Sequence, residues 1–253
     1  MLELFVLAAG VLAGIASALF GIGGAVVAIP ILYLLLHVPA QTAVGTAIVL
    51  VVLNSALGAY RYGRKGLVDR RFALLAGPAG IVFALSGAWL NEGASQAAVA
   101  YGVALVTILF AGLSFYGERF KRMKWAQAAR LKRRYAVTLG AFVGLVNGFT
   151  GIGGGAALTS MLGSVFGKTQ HEAVATSLAT IFIFAVPGAL AHLALGNTDA
   201  ALLIPLLAGG LIGSQVGVSL GLKTGGARLR KATAFFFLLL GVWLALSQYL
   251  KAG

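Results

Sequence analysis

Residues 10–90 and 140–220 align with each other at a constant offset of 130 positions, without a gap. Gly10, Gly14 and Gly21-Ile22-Gly23-Gly24 fall on Gly140, Gly144 and Gly151-Ile152-Gly153-Gly154. Ala43-Val44 and Thr46 fall on Ala173-Val174 and Thr176, and Gly58-Ala59, Gly66, Asp69, Gly80 and Gly87 fall on Gly188-Ala189, Gly196, Asp199, Gly210 and Gly217. The chain is therefore expected to build one structural unit twice, so an element assigned in one half must also make sense in the other.

The unit is apolar. Hydrophobic residues make up 60% of the chain, charged residues 10%, and mean hydropathy is +0.97. Soluble domains carry about a quarter charged residues. Long apolar runs at 4–36, 40–60, 72–90, 96–116, 134–166, 173–194, 200–222 and 232–250 are each of a length to cross a bilayer as a helix. No period-two alternation supports a barrel. The first run lacks a basic leading segment and continues well beyond a signal peptide's apolar stretch, so a cleaved signal peptide is the weaker reading. The absence of Cys removes disulfides and thiolate metal sites. The predicted class is an all-α polytopic membrane protein.

Net charge is +13, and its placement explains it. Of 19 basic residues, five lie in 61–71, eight in 119–134 and four in 223–231. Short basic loops stay cytoplasmic, and they favour anionic lipid headgroups, so nucleic acid is not needed as a partner. Eight simple crossings would put 223–231 outside and the loop 195–199, which carries no positive charge, inside, against the charge. The conflict disappears if runs 4–36 and 134–166 each turn back on themselves. Each would be about 50 Å long as a straight helix, too long for one pass and short for two. All three basic loops are then cytoplasmic and both termini external. The two copies acquire opposite orientations, related by a pseudo-two-fold axis in the membrane plane.

Each over-long run carries its glycine cluster near the middle: Gly21, Gly23 and Gly24, then Gly151, Gly153 and Gly154. Glycine permits the positive φ that a sharp turn between helical legs requires. Irregular backbone at membrane depth must be buried in protein or line a watery cavity. The leg after each turn points its free N–H groups and positive dipole end at the turn, which suits an anion. In an inverted pair the two ends converge, giving a central anion site built largely from backbone. Gly140, Gly144 and Gly148, and Gly209, Gly213, Gly217 and Gly221, recur every fourth residue and read as packing stripes.

Polar side chains in apolar runs are costly and mark candidate site residues. Thr46 and Thr176 are repeat partners early in the helices that follow the turns, and Ser177 adjoins the second. Asn147, partner of Ser17, precedes the second turn by four residues. Hydroxyls and amides there are donors suited to anionic oxygens, although a lone Ser or Thr in a helix more often bonds its own backbone. Glu172 reads as a helix-capping carboxylate, His171 as a residue able to titrate near neutrality, and His192 as interfacial.

G-x-x-x-G, then GIGG or GIGGG, then Ala43-Val44-Gly45-Thr46-Ala47 or Ala173-Val174-Ala175-Thr176-Ser177, resembles the sulfite exporter TauE/SafE family over residues 5–248. Ala47 stands where a hydroxyl residue is expected, and Ser160 where the first copy has Pro30. The resemblance implies movement of sulfite, organosulfonates or related sulfur anions across the cytoplasmic membrane, which in the bacterial setting is the cell inner membrane.

The organisation expected is a first transmembrane repeat at 1–116, a basic interfacial linker at 117–133 that includes Trp125, and a second repeat at 134–253. Each repeat is a re-entrant hairpin followed by three transmembrane helices. The six acids all lie at or near run ends, which disfavours a mid-membrane carboxylate relay. An inside-negative potential favours anion export by about 2.3 kcal/mol per charge per 100 mV. The expected partners are a small sulfur-containing anion and membrane lipids, with no metal or cofactor, and a homo-oligomer stays open. The function expected is alternating-access export. An anion channel is the alternative, and an intramembrane enzyme ranks below both because His37, His171 and His192 form no cluster with acids.

Overall fold

In the computed structural model the described residues form helices joined by short turns, with no strand among them. These are 2–121, 133–229, 231–233, 235–236, 238–239 and 242–243, with backbone alone described at 110–111, 113–121 and 133. The helices are α1 (Leu2–Phe20), α2 (Ala25–Pro30, continuing into a π turn at Ile31–Leu35), α3 (Ala40–Gly63), α4 (Arg70–Glu92) and α5 (Gln96–Lys121). In the second half they are α6 (Arg133–Thr150), α7 (Gly155–Ser164), α8 (Gln170–Ala194) and α9 (Ala200–Lys223). Residues 122–132 of the expected linker, Trp125 included, lie outside the described residues. The linker's first residues, 117–121, continue α5.

Helices α1, α3, α4, α8 and α9 are long and apolar enough to cross a membrane, which makes this a multi-pass membrane protein. The two over-long runs do break at their glycines, but into unequal legs. α1 has 19 residues and α2 with its π turn has eleven, because the cluster lies past the middle of the run. The Pro30/Ser160 difference also has a local result. Pro30 immediately precedes the π turn, whereas α7, with Ser160, stays α-helical to Ser164.

Helix starts follow from local chemistry. The Asp69 carboxylate accepts from Phe72 N–H at 3.0 Å to cap α4, and Asp199 caps α9 through Ala201 and Leu202 N–H. Thr169 and Glu172 form a reciprocal capping box at the start of α8, the role expected of Glu172. Burial opposes ionisation of Asp69, but the Lys168 ammonium at 2.6 Å and the Phe72 and Arg71 N–H groups outweigh it and hold the carboxyl below its ordinary range.

Packing interleaves the two halves. α1 lies along α9 and α6 along α4, the most extensive contacts among the described residues, while α3 packs on α8. Lipid supplies no hydrophobic drive for helix association, so close backbone approach through small residues takes its place. A Cβ at Gly14 would stand 2.5 Å from the Gly210 carbonyl oxygen, and one at Gly217 2.7 Å from that of Ile15. Gly140, Gly144 and Gly148 meet the carbonyls of Ala76, Gly80 and Ala84 in the same way. Gly221 departs from its stripe and faces the Tyr62 hydroxyl.

Hydrogen bonds fix the two ends. At one, Asp199 N–H donates to Thr46 Oγ1 at 3.0 Å, and Asn197 Nδ2 to Glu92 Oε2 at 2.6 Å. At the other, Asp69 N–H donates to Thr176 Oγ1 at 2.9 Å, and His171 Nε2 lies 3.1 Å from both Gly221 O and Thr224 O. The α3–α4 and α8–α9 junctions therefore occupy opposite ends of α3. Arg61, Arg64, Lys65, Arg70, Arg71, Lys168 and Lys223 gather at the end that holds Asp69.

Candidate functional site

Each glycine cluster breaks the helix that leads into it. Gly21, Gly23 and Gly24 have φ of +73°, +80° and +99°, and Gly151 and Gly154 have +68° and +57°, backbone that L side chains rarely adopt. Gly153, the partner of Gly23, is not among the positive-φ residues. After the turn the chain comes back beside its own helix. A Cβ at Gly24 would lie 2.9 Å from the Ala13 carbonyl, and Gly154 lies against Val143, the repeat partner of Ala13. Past each turn, α2 and α7 leave their first N–H groups without intrahelical partners, as every helix start does. The bonds resume with Val27 and Ala28 N–H to Gly24 O, and Leu158 N–H to Gly154 O.

The two turns meet. Gly21 packs on Val174, and Gly151 on Val44, its repeat partner. Gly23 faces Val51, while Gly153 faces Ile181, the partner of Val51, and Val51 itself. A Cβ at Gly153 would be 3.1 Å from the Ile22 carbonyl oxygen, and Gly155 sits still closer to the Gly21 carbonyl. Residues 20–26 and 150–158 are all buried. In this conformation the facing surfaces bring carbonyl oxygens of one turn against glycines of the other. The glycines let the two turns touch.

Side chains lock the meeting point. Ser177 Oγ donates to Gly21 O at 2.8 Å and approaches Gly155 O at 3.3 Å, so one hydroxyl joins both breaks. Thr159 Oγ1 donates to Phe20 O at 3.2 Å. Asn54 Nδ2 donates to Gly23 O at 3.2 Å, and its Oδ1 accepts from Ser214 Oγ at 2.8 Å. Asn54 and Thr159 were not among the residues selected from sequence. The Gly23 carbonyl that Asn54 binds lies 31 positions away in the sequence.

The other selected residues divide. Thr46 and Thr176 accept from the Asp199 and Asp69 N–H groups and so hold the interhelical junctions at opposite ends of the molecule. Thr180 bonds Thr176 O within its own helix. Asn147 and Ser17 are fully buried, and neither side chain has a partner among the described residues. They are repeat partners, each four residues before a break. His192 is fully buried rather than interfacial, with Nε2 3.0 Å from Gly148 O. It stands where the first half has Tyr62, whose hydroxyl donates to Ala18 O, the counterpart carbonyl, at 2.9 Å.

No group of three or more His, Cys, Asp or Glu able to hold a metal exists among the described residues. A separate open groove of about 350 Å³ lies at the basic end, lined by Ala59, Tyr60, Gly63, Arg64, Val68 and Arg70.

Comparison with known proteins bears on what such a site serves. The chain is 29% identical over 210 residues to the probable membrane transporter protein YdhB of Bacillus subtilis (strain 168), covering 81% of this chain and 85% of that one. It is 22% identical over 242 residues to the probable membrane transporter protein YunE of the same organism, covering 85% and 86%. With the probable membrane transporter protein MJ0441 of Methanocaldococcus jannaschii it shares 24% over 198 residues, covering 75% and 72%. No solved structure matches significantly. The sequence model of the family described as sulfite exporter TauE/SafE matches residues 6–244. With glycine-broken runs in both halves and transporter relatives over most of its length, this chain is a membrane transporter that belongs to the sulfite exporter TauE/SafE family.

Proposed function

We propose that this transporter carries small sulfur oxyanions, sulfite or organosulfonates, out of the cell by alternating access. In this reading the halves are inverted repeats, each opening with a re-entrant hairpin, and the basic end faces the cytoplasm. The anion binds at the midplane between Gly21, Gly23 and Gly24 on one side and Gly151, Gly153 and Gly154 on the other. Asn147 and Ser177 contribute side-chain donors, and Thr46 and Thr176 tie the site to the loops. The observation that carries the reading is the direct contact of the two breaks through Ile22, Gly153, Gly155 and Ser177, in a fully buried setting. Amide ends that can part and close again suit an occluded carrier better than an open channel. Buried donors at Asn147 and Ser17 without protein partners support a polar occupant there.

Interleaving bears on which bodies move. The seams α1–α9 and α4–α6 join opposite halves, so rocking of the sequence halves as units would tear both. The bodies that part are instead the two seamed pairs with the elements packed on them, an arrangement that keeps the symmetry inverted repeats use.

Uptake of labelled sulfite into proteoliposomes tests this. Gly153→Val is the cleaner variant, because Gly153 needs no positive φ and the added side chain enters the meeting surface. The expected result is loss of uptake with folded protein still recovered; uptake equal to wild type removes the breaks as the site. A binding screen with sulfite, sulfate, thiosulfate, taurine and sulfoacetate identifies the anion.

A further inference from the structure

The carbonyls freed where the two breaks end their helices are satisfied differently in the two halves. Tyr62 does this in the first through a hydroxyl, and His192 in the second through Nε2. A carbonyl only accepts, so Nε2 of His192 carries the hydrogen and Nδ1 of the neutral ring is a bare lone-pair nitrogen. Nδ1 has no partner among the described residues, and His192 is wholly buried. Asn91, buried on α4, donates from Nδ2 to the next carbonyl, Phe149 O, at 2.7 Å and leaves Oδ1 unpaired. Asn147, the residue before Gly148, uses neither side-chain atom. Its Nδ2 lies 3.5 Å from where a Cβ on Gly188 would be, and Gly188 is one helical turn before His192 on the same face of α8.

Four unpaired side-chain atoms thus collect around the last turn of α6, from Asn91, Asn147 and His192. The first half has no equivalent, since its counterparts are Gly221, Ser17 and Tyr62. A buried polar group left unpaired is costly, so such a concentration calls for an occupant that pairs them in part of the transport cycle.

We infer that His192 takes up a proton at Nδ1 when the anion binds beside the second break, and releases it when the anion leaves. This rests on the anion-carrier reading above. Protonation forms an N–H bond at Nδ1 and turns a bare acceptor into a donor, for which Asn91 Oδ1 is an unpaired acceptor on the neighbouring helix. The imidazolium charge offsets the anion, while Asn147 Nδ2 remains free to donate to an anion oxygen. The proton comes from water at the end of the bundle where Glu92, exposed and bonded by Asn197 Nδ2, follows Asn91.

Other charges on the elements packed around the ring are elsewhere or engaged. Arg70 and Arg71 on α4, Arg61 on α3, and His171 and Glu172 on α8 are at the opposite end of those helices. Arg133 and Arg134 start α6, far from the break. The Asp199 carboxylate accepts from two backbone N–H groups. Glu92, which follows Asn91 on α4, is bonded by Asn197 Nδ2.

Titration calorimetry of the purified protein with methanesulfonate and with thiosulfate, anions that stay ionised near neutrality, measures proton uptake when repeated in buffers of different ionisation heat. Wild type is expected to take up a proton with each anion bound, so by linkage its affinity falls about tenfold per pH unit where the free ring is neutral. His192→Gln keeps a donor for Gly148 O, and His192→Tyr copies the first half. Both are expected to bind more weakly, with no proton uptake and a flat pH profile. Binding without proton uptake in wild type, or uptake persisting in either variant, overturns the inference alone. Absence of binding by these anions and by sulfite removes the anion-site reading, and the proton site falls with it.

Discussion

Ser177 shows how much one hydroxyl can decide. It donates into the Gly21 carbonyl and lies within reach of that of Gly155, atoms that approach each other only because both turns are made of glycine. Ser177→Ala leaves those buried acceptors without that donor, a cost of about 1–3 kcal/mol. The melting temperature of the detergent-solubilised protein is expected to fall accordingly, whereas an unchanged value would mean the breaks are held together by packing alone. The first half has Ala47 at the corresponding position, so this lock is single rather than doubled. The paired threonines show the converse. Their equivalence was plain in the sequence, but their task was not, because the N–H groups they accept from lie 153 and 107 positions away. His192 was misplaced for a related reason. Its position near a helix end suggests an interface, and only the return of α6 beneath α8 buries it.

Among elements, the two seams carry the architecture. Gly148 meets the Ala84 carbonyl and the Ala88 N–H across α4, whereas Gly112 on α5 faces open space. Gly148→Ala is therefore expected to destabilise by about 1–3 kcal/mol through overpacking. Gly112→Ala is expected to be neutral or stabilising by up to about 1 kcal/mol through helix propensity. Thermal melts of the two variants check this, and equal shifts would count against backbone contact at the seam. Much at this scale was legible in the sequence: glycine every fourth residue indicated close packing, the breaks fell where the clusters lie, and Glu172 marked a helix start. Periodicity says that a face is smooth, however, and not which helix it meets. The pairing of α1 with α9 and of α4 with α6 across the halves therefore emerges only from the fold.

At the scale of the whole molecule, duplication and charge together make a single account. The α8–α9 junction, which carries no basic residue, and the basic α3–α4 junction sit at opposite ends of α3, the charge asymmetry on which the inverted reading proposed above rests. The two breaks lie together in the fold, and the alternating access proposed above requires them to separate there. The chain contains no Cys, which provides a clean background for testing this. With Phe20→Cys and Thr159→Cys introduced together, at a pair where Thr159 Oγ1 lies 3.2 Å from Phe20 O, oxidation fastens the first break to the helix that follows the second. Complete cross-linking is expected to abolish sulfite uptake into proteoliposomes and reduction to restore it. Uptake that continues through the fully cross-linked protein would contradict the account.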